Sequence, residues 1–177
     1  MRSTNRMDRR GISNVVATII LIAVAIALAV AVAVWVFGLA GGAAKTATLQ
    51  IQAVSLNNTA TLSSSKPAYL SLLVSNPSGT AVGINGFTLG GLTCTFSPPI
   101  SVPAGAQGEF LVIALTGSSG YFTGVSISNS YIGGTPLSSS LTATCSGNQT
   151  AAVGAQYSGT IVTTSGQQYP FTVTATS

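Results

Sequence analysis

The sequence contains no histidine, and only two of its 177 residues are acidic. Without histidine, neither a Ser-His-Asp triad nor a Cys-His pair can be assembled. Glu109 is the only carboxylate side chain after Asp8, which excludes chemistry that needs paired carboxylates and leaves too few ligands for a metal. A Ser-Lys pair could be built only on Lys45 or Lys66, and Lys66 follows three serines that are typical of a solvated loop. We therefore expect no enzymatic activity, no metal and no cofactor.

Charged residues are scarce and are concentrated at one end of the chain. Five of the eight lie in residues 1–11, which carry a net charge of +3 out of a total of +4. Residues 46–177 contain 41 Ser and Thr residues, so neutral hydroxyl groups replace charge as the polar groups of this region. Nucleic-acid binding needs clustered Lys and Arg side chains that displace counterions from phosphates. We therefore expect no nucleic-acid partner.

A long apolar run follows the basic residues. The 19 residues from Ile19 to Phe37 are all apolar, and Thr18 is the only polar residue between Val15 and Phe37. At about 1.5 Å per residue, a helix of this length spans a bilayer core of about 30 Å. The run is longer than the apolar part of an ordinary secretory signal. The positive-inside rule places the basic end in the cytoplasm and the following residues across the membrane. We expect one helix over residues 12–45.

Alanine alternates with larger apolar residues over residues 23–33. On a helix, this alternation predicts two rows of small residues at i,i+4 spacing, which we expect to be adjacent. The first row is Ala23, Ala27 and Ala31, and the second is Ala25, Ala29 and Ala33. Small residues allow two helices to approach closely in lipid. The simpler alternative is a lipid-facing anchor that happens to be rich in alanine.

Residues 46–177 change to short β-branched and aromatic runs separated by turn residues. We predict strands over residues 46–56, 68–75, 81–92, 109–115, 121–128, 155–164 and 169–176. Turns are expected at several Pro and Gly clusters, among them Ser97-Pro98-Pro99, and residues 129–150 are expected to be loop with at most one weak strand. The fold class is therefore α+β: a long N-terminal apolar helix followed by an all-β antiparallel domain, a sandwich of Ig-like type or a small barrel.

Two further pairs of residues suggest modifications outside the membrane. Cys94 and Cys145 are the only cysteines, and an even pair in an exported region favours a disulfide over two separate buried thiols. Asn57 and Asn148 each satisfy the N-x-[ST] rule and lie in predicted loops. They are candidate N-glycosylation acceptors, although such triplets also arise by chance in a sequence rich in Ser and Thr.

The junction Arg9-Arg10-Gly11-Ile12-Ser13 resembles that of archaeal type IV pilin precursors with a class III signal peptide, and the following residues look like the crenarchaeal type. The resemblance covers roughly residues 9–40. It implies that residues 1–11 form a leader, which a prepilin peptidase removes between Gly11 and Ile12. It also implies that residues 12–45 lie in the membrane and then in a filament core, and that residues 46–177 form an outer β-rich domain.

The same resemblance implies a function. The chain would be a pilin that assembles into a homopolymeric cell-surface filament for adhesion, with an assembly ATPase and a platform protein as partners during biogenesis. Bacterial-type pilins usually carry Glu at the fifth position after the cut, where this chain has Val16, in agreement with the archaeal pattern. The alternatives are an archaellum-type filament protein or minor pilin, and a monomeric membrane-anchored surface or binding protein.

Overall fold

The computed structural model describes the backbone of residues 7–43 and 48–177, and the side chains of residues 13–38 and 48–177. Helix α1 spans Met7–Ala43, and the β-rich residues that follow form a separate compact unit. The helix therefore begins five residues before the predicted start at Ile12. Residues 7–10 contain neither Gly nor Pro, and the single Gly11 at the junction lowers helix propensity without ending the helix. The predicted end at Lys45 lies outside the described residues.

Within residues 48–177 the structure has eleven strands and one short 3₁₀ helix, Thr59–Thr61. The strands are β1 (Gln50–Asn57), β2 (Ala68–Ser75), β3 (Val82–Leu89), β4 (Leu92–Val102), β5 (Glu109–Ser118), β6 (Tyr121–Ile132), β7 (Thr135–Pro136), β8 (Thr142–Ser146), β9 (Gln149–Thr150), β10 (Gln156–Thr163) and β11 (Gln168–Thr174).

The strands form two sheets that pack as a sandwich. The first sheet has the order β1-β2-β5-β6-β7, with β9 also paired to β6, and the second has the order β11-β10-β3-β4-β8. Every strand pair is antiparallel. An isolated parallel bridge joins Leu56 to Ala175, next to the ends of the outermost strands β1 and β11. The predicted fold class, an apolar helix followed by an antiparallel β-sandwich, is confirmed.

The core lies between the two sheets and follows the two-residue period of the strands. In β2 the fully buried residues alternate with half-buried ones at Ala68, Leu70 and Leu72. The second sheet contributes Phe87 and Phe96, whose ring centroids are 5.9 Å apart. Alternate side chains of a strand point to opposite faces, so each sheet presents one apolar face to the other.

Two parts of the predicted strand pattern are wrong. The run 81–92 is not one strand, because Gly90-Gly91 forms a tight turn between β3 and β4, and Gly90 has the positive φ that favours glycine. Ser97-Pro98-Pro99 is not a turn but lies inside β4. There the pairing with β3 steps from Gly86–Thr95 to Ile84–Ile100, so a bulge holds the prolines where no ladder N–H is needed.

The region 129–150 also contains more strand than predicted. Strand β6 continues to Ile132, and β7, β8 and β9 follow it. Strand β8 pairs with β4 in a register that places Cys145 opposite Cys94. These Ser- and Thr-rich segments are strands because their backbone groups find partners distant in sequence, which local propensity does not reveal.

Candidate functional site: the apolar helix and its surroundings

Helix α1 is continuous through the whole apolar run. Its Val- and Ile-rich residues are mediocre helix formers in water. In an apolar solvent the helix is favoured, because it satisfies every backbone N–H and C=O group within the segment. The part Ser13–Gly38, 26 residues long, is long and apolar enough to cross a membrane.

The side chains of Ser13–Gly38 are exposed without exception. The large apolar ones are between 48 and 77 % exposed, and they occupy every side of the helix. By contrast, only four large hydrophobic side chains of residues 48–177 are exposed: Phe110, Tyr121, Tyr131 and Val153. A helix that is apolar on all sides requires lipid or other helices around it. This segment therefore holds most of the exposed large apolar side chains among the described residues.

Thr18 is the one polar residue inside the apolar stretch. Its hydroxyl donates a hydrogen bond to the carbonyl oxygen of Val15, with an oxygen–oxygen distance of 2.8 Å. This bond satisfies the hydroxyl proton within the helix, which lowers the cost of placing Thr18 in an apolar environment. The polar residue therefore does not interrupt the apolar surface.

The alanine rows lie differently from the prediction. Residues two apart on an α-helix are separated by about 200° around the axis. Because α1 is a regular α-helix here, the row beginning at Ala25 lies on nearly the opposite face from the row beginning at Ala23. The prediction that the two rows are adjacent is wrong. The helix instead has a strip of small residues on each of two opposite faces, separated by larger Val, Ile and Leu side chains.

The C-terminal end of the exposed segment carries two aromatic side chains. Trp35 and Phe37 are 67 and 77 % exposed, close to Gly38 at the end of the described side chains. The indole ring of Trp is enriched where a membrane meets water. The position of Trp35 in the last helical turn of the apolar run is consistent with such an interface.

The predicted processing residues Arg9, Arg10, Gly11 and Ile12 have their backbone in α1. Their side chains lie outside the described residues. The proposed cut between Gly11 and Ile12 therefore stays a prediction from the sequence.

Cys94 and Cys145 form a disulfide. They lie directly opposite each other on β4 and β8, with their Cα atoms 4.1 Å apart. Cys94 is fully buried in the core, and Cys145 packs against the core from the outermost strand of the second sheet. The bond thus ties β8, which has no other neighbour in its sheet, to the centre of the sandwich.

The two candidate glycosylation sites differ in their surroundings. Asn148 is exposed and lies in the turn between β8 and β9. Asn57 is exposed but is the last residue of β1, so the prediction that it lies in a loop is wrong. It is held in the strand because its neighbours pair with β2 and because the Thr176 hydroxyl donates to its Oδ1 at 2.6 Å.

Catalytic and metal-binding groupings are not found among the described side chains. Residues 13–38 and 48–177 contain no cluster of three His, Cys, Asp or Glu residues that could hold a metal ion. Glu109 begins β5, while Lys66 lies just before β2, at the other end of the β2–β5 pair. These two charged groups therefore lie too far apart to act together.

Comparison with family models and with curated proteins identifies no relative. No protein-family model matches the sequence, and no curated protein matches it. The family therefore stays a prediction that rests on the Arg9–Ile12 junction and the apolar segment after it.

Proposed function

We propose that this chain is a structural subunit of an archaeal type IV pilus, which polymerises through α1 into a cell-surface filament used for adhesion. The observation that carries the proposal is the helix segment Ser13–Gly38, which is apolar and exposed on every side. It follows directly on a basic leader that ends in Arg9-Arg10-Gly11. A permanent anchor would explain the apolar surface but would not require that junction.

The order of the basic leader, the junction and the apolar run supports two successive locations for α1, first the membrane and then the filament. The net charge of +3 on residues 1–11 would hold the N-terminus in the cytoplasm while α1 lies in the membrane. Cleavage after Gly11 would remove this charge. The mature chain would then begin with Ile12, so that no charged side chain precedes the apolar run. Such a helix carries no charged side chain from Ile12 to Phe37, and the new α-amino group of Ile12 is its only ionisable group there.

Assembly would exchange lipid for other copies of α1. In lipid there is no hydrophobic effect to drive helices together. Close packing between helices must therefore stabilise their association. The strips of small residues on two opposite faces let each helix accept a close neighbour on both sides. Head-to-tail contacts generate a helical filament when their rotation does not close into a ring.

The β-sandwich would form the outer part of such a filament. Among its side chains only Lys66 and Glu109 carry charge in residues 48–177, so neighbouring copies would not repel each other. Its polar surface would be formed largely by hydroxyl groups, which suits contact with other surfaces or a coat of glycans. These features favour an extracellular location for the domain.

The decisive experiment replaces Gly11 with Trp in the full-length chain, expressed in an archaeal host that makes type IV pili. A bulky residue at the cleavage position should leave the precursor uncut, and no filaments should then be recovered by shearing. The matched control is Gly38→Ala in the same helix, where an added Cβ would have no neighbour within 4 Å. This control should be processed normally.

The outcome separates the alternatives. Normal surface display of Gly11→Trp without processing would support a monomeric membrane-anchored protein and refute the filament. Processed wild-type chains found only as a rare component of filaments built from another subunit would indicate a minor pilin. Filaments that rotate to drive swimming would indicate an archaellum-type protein.

A further inference from the structure

The pairing of β6 with β5 is interrupted in the middle of the first sheet. Tyr131 pairs with Val112 of β5, but the next pair along the ladder joins Ser126 to Ala114. Residues 127–130 of β6 thus stand opposite Ile113 alone. An insertion of this size forms a large, irregular bulge that changes the direction of the side chains around it. Bulges are common next to active sites.

Ser130 fastens the bulge to the sheet. Its hydroxyl donates to the carbonyl oxygen of Ser126 at 2.7 Å and accepts the backbone N–H of Ala114 at 2.9 Å. Ser130 is only 1 % exposed, so these bonds replace the ladder bonds that the bulge removes. The Ser130 hydroxyl is therefore satisfied, and it ties the bulge both to itself and to β5.

The outer face of β5 is buried next to the bulge. Leu111, Ile113 and Leu115 point into the core between the sheets. Val112 and Ala114 alternate with them and so face outward, yet they are 4 and 0 % exposed and do not belong to that core. Burial on the outer face means that neighbouring side chains close over these two residues.

Beside the bulge lies an open cavity of about 340 Å³. Its lining residues are Tyr69, Ser128, Asn129, Ser130, Tyr131 and Pro136. Tyr69 on β2 lies opposite Ala114, and Tyr131 on β6 lies opposite Val112, so the two tyrosines flank β5 from its two sides. The volume is within the range of small-molecule sites.

The chemistry of the lining is aromatic, amide and hydroxyl, without any charged side chain. The hydroxyls of Tyr69 and Tyr131 make no hydrogen bond with the described part of the chain, whereas those of Tyr157 and Tyr169 do. Tyrosine presents an apolar ring face beside a free polar group. Such a site suits a neutral ligand that carries both C–H faces and hydroxyl groups, and it provides no charged partner for an anion or a cation.

We propose that this cavity, the Tyr69–Tyr131 pocket, binds a neutral saccharide. The C–H face of a sugar ring would stack on the tyrosine rings, and its hydroxyls would bond to Asn129, Ser128 and the tyrosine hydroxyls. The proposal rests on the proposed function, because it assigns the adhesive contact of the filament to a glycan surface. An anionic polymer is disfavoured, since the lining provides no cation.

The saccharide could come from two sources, another surface or the chain itself. Asn57 lies directly opposite Tyr69 on the neighbouring strand β1. Paired residues of antiparallel strands project from the same face with their Cβ atoms about 5 Å apart. A glycan attached to Asn57 would therefore begin beside the pocket.

Binding is measured with full-length chain, both as sheared filaments and as detergent-solubilised protein, on immobilised neutral mannan and dextran and on anionic heparin. We expect wild-type to bind a neutral polysaccharide, with little change between about 0.05 and 0.5 M salt, because no charge pair is screened. Tyr131→Ala and Tyr69→Ala should each weaken binding about tenfold, in line with one lost stacking or hydrogen-bonding contact. Tyr131→Phe should lose less, because it keeps the ring.

The matched control is Tyr121→Ala. Tyr121 lies on the same strand as Tyr131 and is similarly exposed, at 42 against 39 %, but it does not line the pocket. This variant should bind like wild-type. An Asn57→Gln variant that binds more tightly than wild-type would identify the chain's own glycan as the occupant, and an unchanged one would identify an external saccharide.

Three results would overturn the proposal. The first is no binding of wild-type to either neutral polysaccharide at millimolar sugar concentration. The second is an equal loss in Tyr121→Ala and Tyr131→Ala. The third is that folded, processed Tyr131→Ala fails to assemble, which would make the pocket a contact between copies. If wild-type forms no filaments at all, the proposed function fails, while the solubilised chain still reports on saccharide binding.

Discussion

Removal of the Cys94–Cys145 disulfide should destabilise the β-sandwich strongly. The bond joins residues 51 positions apart in sequence, so it closes a long loop in the unfolded chain. It also holds β8, whose only sheet partner is β4. We consider the double variant Cys94→Ala/Cys145→Ala, which leaves no unpaired thiol.

The magnitude follows from the loop length. In the chain-entropy model, a loop of about 50 residues contributes roughly 4 kcal/mol at 25 °C. Truncating Cys94 adds a smaller packing cost, because its sulfur is fully buried in the core. With a denaturant slope of about 4 kcal/mol per M in guanidinium chloride for a domain of this size, the unfolding midpoint should fall by about 1 M.

The assay is guanidinium unfolding of the full-length chain in detergent, followed by near-UV circular dichroism of its five tyrosines, all of which lie in residues 48–177. Wild-type protein under reducing conditions keeps both sulfur atoms and isolates the covalent link. The control variant changes the adjacent cross-strand pair Thr95 and Thr144 to Ala. A fall of less than about 0.3 M, both on reduction and in the Cys variant, would refute the reasoning.

Three further predictions follow from the same structure. Ile113→Ala, at a fully buried core position, should lower the free energy of unfolding by about 2–5 kcal/mol, whereas Ser71→Ala on the outer face should change it by under about 0.5 kcal/mol. Glu109 is the only carboxylate side chain of residues 48–177, and histidine is absent. The guanidinium midpoint should therefore differ by under about 0.3 M between pH 3 and pH 8. Unfolding of the domain in acid would contradict this prediction. Ala27→Leu should reduce the yield of sheared filaments but not membrane insertion. The volume-conserving control Ile26→Leu should leave both unchanged. A normal filament yield from Ala27→Leu would argue for a lipid-facing anchor.

Much of the architecture could be predicted from local sequence. A 19-residue apolar run has few structural solutions, and helix α1 follows from its length. The sequence predicts strand β2 with its observed bounds, Ala68–Ser75, because a short run rich in Leu, Val and Tyr ends there at the turn residues Asn76-Pro77. The class of fold depended only on such signals.

The errors lie where a partner decides the structure. The prolines Pro98 and Pro99 indicate a turn in isolation, yet they fit within β4 because the ladder with β3 skips them. The error in the alanine rows is of another kind and needs no partner, because the offset of two residues between the rows already places them about 200° apart on a helix.

The Tyr69–Tyr131 pocket had no sequence signal. Tyr69 and Tyr131 lie on strands far apart in the chain, and only the order β2-β5-β6 brings them together. The bulge that forms one side of the pocket depends on the bonds of Ser130 to Ser126 and Ala114. Such a register shift is set by long-range pairing and cannot be read from one segment.

The central claim is that α1 serves first in the membrane and then in a filament, after the loss of its leader. The most direct measurement is N-terminal sequencing of filaments sheared from cells that express the full-length chain. We predict that the first residue is Ile12. Filaments whose chains begin at Met1, with Arg9 and Arg10 retained before the apolar run, would contradict the account.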